Sequence, residues 1–229
     1  MKKLVIIPTY NEIENLKKLL PELMLLSEKF DVLVVDDSSP DGSGNFVTEK
    51  SKLNSRIHLL SRPQKQGLGK AYIAGFKWGL QNGYDVLTEM DADFSHRPED
   101  LNQILKKIET TDVVIGSRYV TGGATVNWGL IRKIISRGGG IYSRMILGYP
   151  IQDWTGGFNS WKAEVLQKIN LDTIMSNGYS FQIELKYKAS KHGFNIIEHP
   201  IVFEDRRVGQ SKMSLKIVLE AFYKVWMIK

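Results

Sequence analysis

Cysteine is absent from the sequence, which removes disulfides, thiolate nucleophiles and cysteine metal ligands from consideration and fits a reducing compartment. Long apolar runs are absent too. No stretch approaches the roughly 18 consecutive apolar residues that a spanning helix needs, so no transmembrane helix is expected. The start, Met1-Lys2-Lys3-Leu4-Val5-Ile6-Ile7-Pro8, is basic and then apolar, but polar Thr9-Tyr10-Asn11-Glu12 follows too soon for a signal peptide. It reads as a first strand. Histidine is scarce: His58, His96, His192 and His199 are scattered, without zinc spacing or a Ser-His-Asp arrangement, and read as ordinary structural or surface residues. Internal repeats, low-complexity tracts and linkers are also missing, so residues 1–229 are assigned to one domain, long enough for a sizeable core.

Charge is present in excess of one sign. A formal net charge of +6 and a pI near 9.3 call for anionic partners, which means nucleic acid, phospholipid or a phosphorylated substrate. Neither a basic recognition helix nor an aromatic RNA-binding signature is present, so no nucleic-acid partner is expected.

Short β-rich runs alternate with helical spacing along the first half. Leu4 to Ile7 is a strand, followed by a helix over Glu14 to Glu28 through Leu16, Leu19, Leu20, Leu23 and Leu26. Asp31 to Asp37 is a second strand, with a helix from about Asn45 to Leu53, and Arg56 to Leu60 is a third, with a helix from about Ala71 to Gln81. Tyr84 to Met90 is a fourth, with a helix over Glu99 to Ile108, and Asp112 to Tyr119 is a fifth. This alternation predicts an α/β fold, a largely parallel, doubly wound sheet flanked by helices, with its functional groups at the carboxyl ends of the strands.

Acids collect at those ends. Asp91-Ala92-Asp93 follows the fourth strand, and Asp36-Asp37 closes the second. Paired carboxylates repel and resist desolvation, so a shared cation is the simplest reason to place them in one tight turn, and Mg²⁺ or Mn²⁺ suits one or two carboxylates completed by phosphates. The plainer alternative is that these acids are solvated turn residues, with Ser38, Ser39 and Asp41 capping the next helix. Gly67-Leu68-Gly69-Lys70 before a helix suits a phosphate-contacting turn, though it lacks the spacing of a nucleotide P-loop. The fifth strand ends in Gly116-Ser117-Arg118-Tyr119.

Beyond Tyr119 the pattern changes. Thr121 to Thr125 reads as a loop. Gly129 to Leu147 interleaves Leu130, Ile131, Ile134, Ile135, Ile141, Met145 and Ile146 with Arg132, Lys133, Arg137 and Arg144. Two readings stand for it: a basic amphipathic segment on an anionic membrane, or a surface helix broken at Gly138-Gly139-Gly140 with its apolar side on the sheet. Asp153 to Ser160 is a glycine-rich turn carrying another acid. Helices over Ala163 to Ile169 and Ser180 to His192 precede a late strand, Asn195 to Phe203, and a cationic loop, Glu204 to Lys212. Met213 to Lys229 is an aromatic-rich helix suited to an interface.

Pro8-Thr9-Tyr10-Asn11-Glu12, Val34 to Gly42, Met90-Asp91-Ala92-Asp93-Phe94-Ser95-His96, Gly116 to Tyr119 and Arg206 to Lys212 together resemble the family 2 glycosyltransferases of the GT-A fold, specifically the dolichol- or polyprenol-phosphate mannose synthases. The resemblance covers essentially the whole chain. It implies a nucleotide pocket lined by Pro8, Tyr10, Glu12, Val35 and Asp37, with Ala92 beside the acids. Asp91 and Asp93 would serve the metal and the diphosphate; Ser95 stands where some relatives carry a glutamine and is the third candidate there. Arg206 and Lys212 would hold the donor phosphates, and Arg118, Arg132 and Ser136 would receive the acceptor phosphate. The implied reaction moves mannose from GDP-mannose to a polyprenyl (dolichyl) phosphate with inversion, at the cytoplasmic face of a membrane. The acceptor-facing segment would be about residues 120–150, and the interfacial helix about 213–229.

Many members of that family continue into carboxyl-terminal membrane helices, whereas this chain stops at Lys229, which leaves a peripheral form, a lost anchor or an anchoring partner as alternatives. Two other functions fit the same residues: a UDP-glucose-dependent transferase with the same acceptor, and a non-catalytic nucleotide-sugar binding subunit. The retained set Asp91, Asp93, Arg118 and Arg206 speaks against the latter.

Overall fold

The computed structural model describes residues 1–176, 178–204 and 223–229. Strands β1 (Lys3–Thr9), β2 (Asp31–Asp36), β3 (Ile57–Ser61) and β4 (Val86–Glu89) alternate with helices α1 (Ile13–Met24), α2 (Ser43–Leu53), α3 (Leu68–Gln81) and α4 (Pro98–Lys107). After β5 (Val113–Ser117) come β6 (Ala124–Val126), α5 (Leu130–Leu147), β7 (Asn159–Lys162), α6 (Ala163–Ile169), α7 (Tyr179–Lys191), β8 (Ile196–Pro200) and β9 (Val202–Glu204). Residues 223–228 are helical.

The main sheet has seven strands in the order β3-β2-β1-β4-β7-β5-β8. All its pairings are parallel except those of β7, which runs antiparallel between β4 and β5. The expected mostly parallel α/β architecture is therefore present, with one reversed strand that the glycine-rich reading of Asp153 to Ser160 did not contain. Only four residues long and begun by Asn159-Ser160, β7 carries no apolar alternation to announce it. Thr121 to Thr125, expected as loop, contributes Ala124 and Thr125 to β6, which pairs in parallel with β9 as a separate ribbon. The single late strand expected over Asn195 to Phe203 is two strands, with Ile201 between them.

Side-chain alternation sorts the core onto two faces. Leu4, Ile6, Leu33 and Val35 point to one side, with Tyr72, Phe76 and Phe181, and Val5, Ile7, Val32 and Val34 to the other, with Leu16, Leu19 and Leu101. Both faces are covered by helices, so these strands read as continuous apolar runs. Helix α3 lies close against the sheet because it presents glycines: a Cβ at Gly75 would sit 2.5 Å from Ile6 Cγ2, and one at Gly79 would sit 2.4 Å from Leu87 Cδ2.

Helix α5 corrects the second reading of its segment, that of a broken helix with its apolar side on the sheet. It runs unbroken through Gly138-Gly139-Gly140, and its buried side is Ser136, Gly140, Ser143 and Leu147. That stripe lets the helix approach closely, and a Cβ at Gly140 would lie 2.9 Å from the Gln152 carbonyl oxygen. The apolar side faces outward: Leu130, Ile131, Ile134, Ile141 and Met145 are all exposed. Trp226 donates from Nε1 to the Tyr142 hydroxyl at 2.7 Å, which places residues 223–228 beside α5. Residues 213–222 of the expected terminal helix lie outside the described residues.

Because the α3 contact leaves no room for a side chain, Gly75→Val is expected to cost about 1–3 kcal/mol of stability. Urea unfolding measures it, and a variant as stable as the parent would contradict the close packing of α3 on β1.

Candidate active site

The carboxyl ends of β1, β2, β4 and β5 come together at one edge of the sheet. At the first two, Pro8 and Val35 are register partners on adjacent strands, and the Asp37 backbone N–H donates to the Thr9 carbonyl at 3.1 Å. Asp37 is buried and meets Arg62 at 2.8 Å between Oδ1 and Nη1. Burial nonetheless raises the Asp37 carboxyl above its ordinary value, with the Arg62 charge opposing. Tyr10 is partly exposed, and the Lys65 ammonium lies 3.8 Å from its ring centroid. Glu12 accepts from the Asn15 amide at 2.6 Å.

The helix-capping alternative for the β2 turn holds for Asp41. It accepts from the Ser43 backbone N–H at 2.9 Å and from the Ile13 N–H at 3.0 Å, so it serves the first turns of α2 and α1 together. Asp36 and Asp37 are buried instead of solvated, as paired acids at a ligand-binding edge would be. Pro8, Tyr10, Glu12, Val35 and Asp37 thus share one corner of the molecule.

At the end of β4, Asp91 and Asp93 are partly exposed, while Ala92 between them is buried in the core. Asp91 accepts at Oδ1 from the Tyr72 hydroxyl at 3.1 Å, and its backbone N–H donates to His96 Nδ1 at 3.0 Å. Asp93 Oδ1 accepts from the Ser95 N–H at 3.1 Å, a reversal that holds Phe94 at a φ of 62°, a left-handed conformation rare for an aromatic residue. His96, expected to be incidental, is a buried strut of this turn. Its ring stacks on Phe158 with centroids 4.5 Å apart, burial lowers its pKa, and acceptance at Nδ1 puts the proton of the neutral ring on Nε2.

The donor chemistry of the turn fits a hard divalent ion. Asp91 and Asp93 supply two carboxylates, no third His, Cys, Asp or Glu completes a metal-holding group among the described residues, and the Ser95 hydroxyl is buried without a hydrogen-bond partner. Such a site leaves most of the coordination shell to phosphate oxygens and water, as Mg²⁺ sites commonly do.

Arg118 follows β5 and is buried on Asp153. Asp153 Oδ2 accepts from Arg118 Nε at 2.7 Å and from its backbone N–H at 2.9 Å, and Oδ1 accepts from Nη2 at 2.6 Å. Burial works to raise the Asp153 pKa, but the Arg118 charge and these hydrogen bonds outweigh it and hold the carboxyl at about 2. The Arg132 guanidinium lies 4.0 Å from the Trp128 ring centroid, and that of Arg118 lies 5.4 Å from the same ring. Ser136 accepts from the Tyr119 hydroxyl at 2.7 Å. The structure thus brings Arg118, Arg132 and Ser136 into one neighbourhood, whereas Arg206 and Lys212 lie outside the described residues.

Behind the edge is a polar network that the sequence reading missed. Glu89 is fully buried at the end of β4 and accepts from the Asn159 amide at 2.7 Å, which also donates to Gln182 at 2.8 Å. Lys186, equally buried, donates to the carbonyls of Asp153 and Gly156, each at 2.8 Å. Burial pushes the Glu89 carboxyl up and the Lys186 ammonium down. The available signal was Gln182, Glu184 and Lys186 alternating with Phe181, Ile183, Leu185 and Tyr187 along one helix.

A parallel α/β sheet with paired acids at one strand end and clustered arginines at the next defines a GT-A glycosyltransferase fold, an enzyme class. Residues 4–169 match the family described as Glycosyl transferase family 2, and the chain belongs to it. It is 49% identical over 225 residues to the undecaprenyl-phosphate mannosyltransferase of Micrococcus luteus, covering 98% of this chain and 93% of that relative. It is 46% identical over 226 residues to the polyprenol monophosphomannose synthase of Mycolicibacterium smegmatis, covering 98% and 85%. Among solved structures, the mannosyltransferase PcManGT from Pyrobaculum calidifontis in complex with GDP-Man and Mn²⁺ shares the fold, with a TM-score of 0.65, 16% identity and coverage of 99% and 64%. So does glucosyl-3-phosphoglycerate synthase from Mycobacterium tuberculosis in complex with Mn²⁺, UDP and glucosyl-3-phosphoglycerate, with a TM-score of 0.65, 16% identity and coverage of 99% and 78%.

A carboxyl held at about 2 in the fold, against an ordinary value of 3.8, contributes about 2 kcal/mol of stability above pH 4 and loses it as pH falls toward 2. Asp153→Asn is expected to be destabilised by about 3–5 kcal/mol at neutral pH, because Arg118 stays buried without its counter-charge. The gap between parent and variant is expected to narrow by about 1 kcal/mol on acidification to about pH 3, as denaturant melts would show. A gap independent of pH would contradict the depressed carboxyl.

Proposed function

We propose that the protein transfers mannose from GDP-mannose to the phosphate of a polyprenyl (dolichyl) phosphate, giving polyprenyl phosphomannose and GDP with inversion at the anomeric carbon. The observation that carries this reading is the pairing, at one sheet edge, of an acidic turn at Asp91 and Asp93 with the arginines Arg118 and Arg132. The names of the two close relatives, both transferases of mannose to a polyprenol phosphate, support it. Mn²⁺ in both solved neighbours, and GDP-Man in one, support a metal and a guanine donor.

In this reading Pro8, Tyr10, Glu12, Val35 and Asp37 bind the nucleoside, with Ala92 beside the diphosphate. Asp91 and Asp93, with Ser95 adjacent, hold Mg²⁺ or Mn²⁺, which when bound stabilises the charge on the departing diphosphate. Tyr72 and His96 keep the Asp91 carboxylate and backbone in place for this. Arg206 and Lys212 neutralise the donor phosphates. Arg118, Arg132 and Ser136 hold the acceptor phosphate, whose second pKa is about 6, so that it attacks already ionised and needs no strong general base. Its oxygen forms the new bond to the anomeric carbon as the bond to GDP breaks, and catalysis is mostly in-line positioning and charge neutralisation.

Mass spectrometry of the lipid fraction tests this, after incubating the protein with Mg²⁺ or Mn²⁺, a short polyprenyl phosphate and either GDP-mannose or UDP-glucose. Product from GDP-mannose alone is expected, and product from UDP-glucose alone would replace the donor while keeping the mechanism. Asp93→Ala is expected to lose more than about 100-fold in turnover while remaining folded; near-normal turnover would remove the metal from the turn.

The outward apolar face of α5, with Arg132, Lys133, Arg137 and Arg144 on the same helix, supports a peripheral position on an anionic membrane, at its cytoplasmic face. Co-sedimentation with anionic vesicles at low salt, weakening as salt rises, is expected. Absence of binding at low salt would shift the anchoring to a partner subunit.

A further inference from the structure

Trp128 lies between β6 and the first turn of α5 and is 8% exposed. Its ring has the Arg132 guanidinium 4.0 Å from the centroid and the Arg118 guanidinium at 5.4 Å, and Phe203 meets it edge-on at 5.4 Å with planes 78° apart. The Arg118 guanidinium is also 5.6 Å from the Phe203 ring. Two guanidiniums brought together repel. Arg118 cannot retreat, because Asp153 holds it by both Nε and Nη2 and Thr155 takes a further hydrogen bond from Nη2 at 2.8 Å. Arg132 sits in the first turn of α5, and the indole face is a cation–π partner that favours its place beside the ring Arg118 also meets.

We propose that Trp128 is a positioning residue for the acceptor phosphate: its indole holds the Arg118 and Arg132 guanidiniums beside one ring, so that a doubly charged phosphomonoester meets a preformed pair of cations. This rests on the reading above, in which those arginines receive the polyprenyl phosphate. The quadrupole of the ring offsets the mutual repulsion before the ligand arrives, and the phosphate then spends little of its binding energy on assembling the site. Donor binding, at the other strand ends, does not depend on the indole.

A double-mutant cycle separates this role from simple packing. A short polyprenyl phosphate is titrated directly into the parent, Trp128→Leu, Arg132→Gln and the double variant, and GDP with Mn²⁺ is titrated into each in parallel. Trp128→Leu is expected to weaken lipid-phosphate binding roughly tenfold and GDP binding less than about twofold. In the leucine background, Arg132→Gln is expected to cost clearly less than in the parent, because the ring that helps to place Arg132 is gone. Trp128→Phe, which keeps a weaker ring, is expected to lose only about two- to threefold, and it carries the same cycle if the leucine variant unfolds. Fully additive effects would overturn the proposal while leaving the proposed function standing. A parent that binds GDP but no polyprenyl phosphate would overturn the acceptor reading, and this proposal with it.

Discussion

The Asp153 carboxylate, closed off from solvent, is neutralised by a guanidinium that it grips at two points, and the β5 side of the sheet edge is built around that contact. A buried carboxylate is tolerable only when paired and fully hydrogen-bonded, and here the Arg118 backbone and the Gly156 backbone supply the remaining donors. Glu198 on β8 accepts from the Asp153 backbone N–H, and Lys186 on α7 binds the carbonyls of the same turn. Four elements are thereby committed to one arrangement of charges.

That turn leads straight into β7, the reversed strand, and β7 continues the network. Asn159 links Glu89, at the end of the strand that carries the acidic turn, to Gln182 on α7. The β4 end with Asp91 and Asp93 and the β5 end with Arg118 are consequently tied through β7 by buried hydrogen bonds as well as by the sheet ladder. In the proposed displacement of a diphosphate by a phosphate nucleophile, this rigidity has a chemical purpose. Reacting atoms must approach to about 3–3.5 Å in line, and freely repelling arginines would not hold that geometry.

Much of this was legible beforehand, and the reasons are local. Strands β1 and β2 are covered on both faces, so their apolar runs are unbroken and end abruptly at Pro8 and Asp36, which marks both the strand and its functional end. Asp91 and Asp93 gained their meaning from the rest of the chain, because an Asp-x-Asp turn by itself reads as readily as a solvated turn. Strand β7 was hidden for the opposite reason: an interior position four residues long, begun by asparagine and serine whose partners are Glu89 and Thr88, has no period to detect. His96 was equally silent, since a lone histidine gains its role only from what packs on it.

Helix α5 separates the two kinds of information. Its existence and its basic, apolar composition were written in residues 130–147, but which side turns inward depended on the stripe Ser136, Gly140 and Ser143 fitting against the turn before Asp153. By itself the sequence determined the α/β alternation, the acids and arginines at the strand ends and the family they resemble, because those signals reside in contiguous stretches. Only the tertiary structure decided that Arg118 is locked by Asp153, that Trp128 gathers two guanidiniums and that His96 braces Asp91. Arg118 and Asp153 are 35 residues apart in the chain, and in all three cases the burial that makes the contact necessary exists only once the sheet has closed around it.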